Sequence, residues 1–158
     1  MKKLDPDLLK EIAARCPAFQ ARATARALTR FYSACFKSVD LTAEQFSLLA
    51  GIGATEGVTV IGLALDADID ATTISRNLQN LEARGLVQAE GGRGRSGKRL
   101  RLTKTGRVLM IEATGIWRST MEQLVSQIGE TAIESANDTF HELATAAKAA
   151  LQKRGSHE

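Results

Sequence analysis

Between positions 72 and 80 the chain sets out Thr72, Thr73, Ser75, Arg76, Gln79 and Asn80, which are short hydroxyls, one guanidinium and two amides. These side chains match the exposed edges of base pairs. Arginine pairs bidentate with guanine, glutamine or asparagine with adenine, and a threonine methyl packs on thymine. With residues 71–84 laid on a helix, Ile74, Leu78 and Leu81 fall on one stripe that must be buried. Thr72, Arg76, Gln79 and Ala83 then point the other way, flanked by Thr73, Ser75 and Asn80. Periodicity alone describes an ordinary solvated helix face equally well. A second cluster decides between the two readings. Arg93, Arg95, Lys98, Arg99 and Arg101 follow within a short stretch, on a loop rich in glycine. Residues 91–104 carry six basic and no acidic side chains, whereas residues 41–90 carry two basic and seven acidic ones. In a chain of net charge +3, so sharp a basic block points to a polyanion met by one small element.

The elements around these clusters are readable. Residues 7–37 read as a long helix interrupted at Cys16-Pro17, because proline removes a backbone donor. Arg22, Arg26 and Arg30 share one of its faces; Leu28, Phe31 and Cys35 lie on another. The run Thr42-Ala-Glu-Gln45 is a capping-box pattern that opens a second helix, which is expected to stop near Gly51–Gly53. Thr59 caps a short helix through Leu65, and Asp70 caps the helix at 71–84, which ends at Gly85. Two strand-like runs follow, 86–90 and 98–103. In the second, Leu100 and Leu102 alternate with Arg99 and Arg101. Residues 105–128 and 130–154 read as two further helices, with Ile133, Ala136, Phe140, Leu143 and Ala147 as the buried stripe of the last. The expectation is a mainly α fold with a small β-hairpin wing, that is, a winged helix-turn-helix. Helices at both chain ends are too long and apolar to serve a lone winged unit, and a second copy of the chain is the simplest cover for them.

Other chemistries fail on residue type or spacing. Gly92-x-x-x-x-Gly97-Lys98 imitates a phosphate-binding loop, but Arg99 stands where Ser or Thr is needed, and a strand follows. Asp66-x-Asp68-x-Asp70 imitates a calcium loop with Ala71 at the glycine position and Asn77 at the bidentate glutamate position. His141 and His157 lack companions at metal-ligand spacing. No nucleophile–base pair emerges, so the reading is not an enzyme, and neither a cofactor nor a metal is expected. Val58–Leu65 is the most apolar stretch and is far short of the roughly 20 residues that a membrane span needs. Asp5, Asp7 and Glu11 break up any secretory leader behind Lys2 and Lys3, so a cytoplasmic protein is expected. Cys16 and Cys35, placed on one helix, would stand about 28 Å apart, too far for a disulfide. Cys16, next to Arg15, is a candidate redox thiol.

The segments Leu63-Ala64, Ile69–Arg76, Leu81–Val87 and Leu102–Gly106, in this order and spacing, resemble the MarR (multiple antibiotic resistance regulator) family. The likeness spans roughly residues 30–150, with its core in 58–106. It implies a homodimeric winged-helix transcription factor, usually a repressor. By that resemblance the terminal helices (5–40 and 105–154) form the dimer, and 41–104 form the DNA-binding lobe of a single domain spanning 1–158. The helix at 71–84 enters the major groove, and the wing at 91–98 touches the minor groove. Many members release DNA when a small phenolic or other lipophilic ligand binds between the dimer helices and the lobe. Two positions depart from the pattern: Gly94 stands where the wing usually has Asp, and Asp68 replaces the usual turn glycine. The DNA-contacting set is then Thr72, Thr73, Ser75, Arg76, Gln79, Asn80, Arg93, Arg95, Lys98 and Arg99, acting on an inverted repeat. Two rival readings stand beside it: a cysteine-switched regulator of the same fold, and a protein-binding dimerisation module without DNA activity.

Overall fold

A computed structural model describes residues 4–55, 57–67, 70–91 and 97–155. Its elements are α1 (Pro6–Arg15), α2 (Pro17–Cys35), α3 (Ala43–Ala54), α4 (Val60–Ala67), α5 (Ala71–Ala83), β1 (Val87–Glu90), β2 (Arg99–Leu102), α6 (Lys104–Ile128) and α7 (Glu130–Gly155). A 3-10 turn at Phe36–Val39 joins α2 to α3. The chain falls into two compact units, Met1–Trp117 and Arg118–Glu158.

Local sequence sets most boundaries. Pro17 separates α1 from α2, and Cys16 at the break is extended (φ −72°, ψ 116°). Thr42 and Gln45 complete the capping box of α3: the Gln45 amide donates to Thr42 Oγ1 at 3.2 Å, and the Thr42 amide donates to Gln45 Oε1 at 3.0 Å. The helix runs through its glycines to Ala54, past the expected stop. Thr59 Oγ1 accepts from the Gly62 amide at 3.0 Å and opens α4, which extends two residues beyond Leu65. After α5, Gly85 takes a left-handed conformation (φ +66°) that reverses the chain at low steric cost.

The first unit is organised around one apolar core. Phe36, Leu49, Ile74, Leu81 and Leu100 are essentially inaccessible, and Ile52, Leu63, Leu78 and Leu86 join them. Every element from α3 to β2 therefore contributes its apolar face to the same interior. β1 and β2 pair antiparallel with Val87 opposite Leu102 and Glu90 opposite Arg99. Thr59 bridges to Arg99, and the Leu100 amide donates to the Val58 carbonyl at 2.8 Å, which anchors the hairpin to the entry of α4. Thr103 ties the hairpin to both neighbouring helices. Its hydroxyl donates to the Gly85 carbonyl at 2.6 Å and accepts from the Gly106 amide at 3.0 Å. Gly106 lies so close to the Leu86 carbonyl that a Cβ there would collide with it.

In the second unit the end of α6 and α7 are joined at Gly129 (φ +84°). The expected buried stripe of α7 is not buried in the single chain. Ile133 and Ala136 are half-buried, while Phe140 (44%), Leu143 (43%) and Ala147 are exposed. Apolar periodicity marks a face that requires cover, and one chain does not supply it. The same holds for α1, with no buried residue and with Leu8, Leu9 and Ile12 about half exposed. Among the described residues no helix is long and apolar enough to cross a membrane.

Candidate nucleic-acid interface

Asp70 starts α5 by capping it. Its carboxylate accepts from the Thr72 amide at 2.8 Å and from the Thr73 amide at 3.4 Å. Hydrogen bonds from the Thr72 side chain and from both amides hold this carboxyl below the usual range. Ile74, Leu78 and Leu81 lock the opposite side of the helix into the core at 1%, 2% and 0% exposure. With that side fixed, Thr72, Thr73, Arg76, Gln79 and Asn80 are exposed, and Ser75 is half-buried. Arg76 has no ion-pair partner among the described residues, so its guanidinium donors face solvent. A rigid, acid-free helix face with one arginine and two amides is thus presented outward.

Asn80 is more constrained than sequence periodicity shows. Gln45 Nε2 donates to Asn80 Oδ1 at 3.1 Å, across 35 positions of sequence. The orientation of both amides follows from elementary chemistry. The Thr42 backbone N–H can only donate, so the Gln45 atom facing it is the oxygen. The NH₂ of Gln45 therefore faces Asn80, and Asn80 must answer with its own oxygen. Its NH₂ is left for other partners, so Asn80 offers a donor rather than the donor–acceptor pair that adenine requires. The capping-box spacing revealed the role of Gln45 at the helix start but gave no sign of this contact.

The basic hairpin divides similarly. Arg93 and Arg95 lie outside the described residues, as do Gly94 and Asp68. Lys98 is exposed and has no ion pair among the described residues. Arg99 Nη1 donates to the Gly57 carbonyl at 3.3 Å, so one arm of this guanidinium is used within the fold. Arg101 Nε stands 3.9 Å from Glu90 Oε2 across the hairpin. Arg22, Arg26 and Arg30 are exposed on α2, as their spacing implies.

The remaining candidates are quickly placed. Cys16 and Cys35 are free thiols, each half-buried, at opposite ends of α2. Among the described residues no three His, Cys, Asp or Glu side chains converge as a metal site. His141 is exposed on α7, and His157 lies outside the described residues.

A family model described as the MarR family matches residues 39–96, the segment that holds α3, α4, α5 and the start of the hairpin. Among solved structures, the chain is similar to the M. tuberculosis transcriptional regulator MosR. It is 29% identical to it, with a TM-score of 0.77, over 87% of this chain and 98% of that one. A complex of MosR with DNA matches at 28% identity and TM-score 0.72, over 84% and 98%. The transcriptional repressor CouR bound to a 23-mer DNA duplex shares the fold at 21% identity and TM-score 0.75, over 90% and 99%. No curated protein matches the sequence.

Proposed function

We propose that this chain is a cytoplasmic, sequence-specific DNA-binding transcriptional regulator of the MarR family that acts on an inverted repeat as a homodimer, a reading supported by the family model and by the likeness to MosR. The observation that carries this reading is the outward face of α5, where Thr72, Arg76 and Gln79 are exposed while Ile74, Leu78 and Leu81 are sealed in the core. A helix held so firmly enters a major groove with its side chains already placed, and the hairpin with Lys98 lies beside the backbone. Arg76, Gln79 and the Asn80 NH₂ read base edges; Thr72, Thr73 and Ser75 flank them. Arg93, Arg95, Lys98 and Arg99 supply phosphate and minor-groove charge.

One such helix covers only a few base pairs. Two of them about 34–36 Å apart read two half-sites one DNA turn apart, and this requires a dimer. The uncovered apolar faces of α1 and α7 furnish the surface for it, with Leu8, Ile12, Phe140 and Leu143 exposed in the single chain. A repressor built this way is relieved by a ligand that binds the DNA-incompetent arrangement more tightly than the DNA-competent one. The testing experiment is a duplex titration at several salt concentrations. With six or more phosphate contacts, affinity should fall roughly a thousandfold between 50 and 200 mM salt. A flat salt profile would reject the DNA reading and favour a protein-binding module.

A further inference from the structure

The amide pair Gln45–Asn80 joins the cap of one helix to the exposed face of another. Gln45 is half-buried in the first turn of α3, and Asn80 is exposed near the end of α5. Both helices are fixed beneath the pair, because Leu49 and Ile52 of α3 share one core with Ile74 and Leu78 of α5. The start of α3 is also tied to α2, where Ser33 Oγ accepts from the Ala43 amide at 3.0 Å. Gln45 therefore has little freedom. Its Oε1 accepts from the Thr42 amide at 3.0 Å, and its Nε2 donates to Asn80 Oδ1 at 3.1 Å. Among the described residues the Asn80 NH₂ has no hydrogen-bond partner. Turning the Asn80 amide over would set two NH₂ groups against each other and leave both without an acceptor.

We infer that Gln45 is a positioning residue that sets base specificity: it fixes Asn80 as a hydrogen-bond donor and so selects a base that offers acceptors, guanine above all. This deepens the DNA-binding reading and rests on it. Guanine presents N7 and O6 side by side in the major groove, both acceptors, and thymine presents O4. Cytosine presents its N4 amino group, a donor that would meet the Asn80 NH₂ as donor against donor. Adenine presents N7 beside the N6 amino group, and its recognition takes the oxygen and the NH₂ of one amide together. Here the oxygen is already engaged by Gln45. An unrestrained asparagine turns its amide to suit the base it meets. The cap of α3, acting through one side chain, removes that choice.

In Q45E one carboxylate oxygen still accepts from the Thr42 amide, and the other replaces the donor that faced Asn80. Asn80 then turns its NH₂ inward and its oxygen outward, where cytosine N4 and adenine N6 are the matching groups. The test is selection of bound duplexes from a random pool, run in parallel on the full-length wild type, Q45E, N80A, N80D and Q45E/N80A. At one position of each half-site the wild type should enrich guanine over cytosine about fivefold or more, and Q45E should reverse that order. N80D turns an oxygen outward with the α3 cap untouched and should show the same reversal. N80A should lose the discrimination at that position alone, and Q45E/N80A should match N80A. A purely structural role for Gln45 would lower affinity or melting temperature without exchanging one base for another. The charge added in Q45E acts on all sequences alike and leaves their ranking in place. The wild-type ranking retained in Q45E or in N80D overturns the inference, as does a reversal that persists in Q45E/N80A. Uniform weakening by N80A, with no base preference lost, makes Asn80 a phosphate contact and overturns it too. These failures leave the DNA-binding reading standing, whereas a wild type that enriches no sequence overturns that reading and the inference with it.

Discussion

Arg76 and Asn80 lie on the same helix, but they relate to the rest of the molecule differently. Arg76 is exposed and without an ion-pair partner among the described residues, so on the proposed reading an R76A variant removes an interaction made only with DNA. It should cost about 1–3 kcal/mol on the preferred duplex and much less on random sequence, read by competition titration. Equal losses on both would make Arg76 a phosphate contact. Asn80 is tied to Gln45, and this link can be reversed by one substitution. In Q45E the carboxylate still accepts from the Thr42 amide, so the capping box survives, but it can no longer donate to Asn80. The Asn80 amide then turns its NH₂ toward residue 45 and its oxygen away. Side-chain amide NMR signals of Asn80 should shift strongly in Q45E while the melting temperature hardly moves; an unshifted pair of signals would contradict the assigned orientation. The outward set on α5 was legible because a period of 3.6 separates Ile74, Leu78 and Leu81 from Arg76 and Gln79. The Gln45–Asn80 and Arg99–Gly57 bonds were not, since they span 35 and 42 positions and leave no local pattern.

At the level of elements, caps and close approaches carry the architecture. Replacing Thr42 by Ala removes the hydroxyl that accepts from the Gln45 amide and should destabilise the fold by about 1 kcal/mol, seen in chemical denaturation. Gly106→Ala drives a methyl into the Leu86 carbonyl and should cost about 1–3 kcal/mol by the same measurement. A neutral outcome would mean that the hairpin-to-α6 junction is not as tight as described. Asp70 gives the start of α5 a pH dependence. Its carboxyl is depressed in the folded chain, so its stabilising effect is complete above the ordinary carboxylate pKa of about 3.9 and is lost as pH falls through the lowered value. Wild-type melting should therefore decline in acid more steeply than that of D70N, and parallel profiles would show that the cap does not titrate with folding. Thr42, Asp70, Pro17 and Gly85 were visible in the sequence because capping and chain reversal are local chemistry. Gly106 was visible as part of a motif but not as a necessity, since its neighbour Leu86 is reached only through the folded hairpin.

The whole molecule is defined by what one chain leaves unfinished. Phe140, Leu143, Leu8 and Ile12 are exposed at spacings that mark helix faces. Sequence periodicity identified the α7 stripe as one to be covered, whereas Phe140 and Leu143 are exposed in the single chain. The proposed homodimer would cover such faces and at the same time supply the second α5 that a two-part DNA site requires. The most direct measurement is selection of bound duplexes from a random pool by the full-length protein, followed by sequencing. The enriched sequences should converge on an inverted repeat whose half-sites are centred about 10–10.5 base pairs apart. Convergence on one unrepeated motif, or no enrichment at all, would contradict the claim that two copies of α5 grip one duplex together.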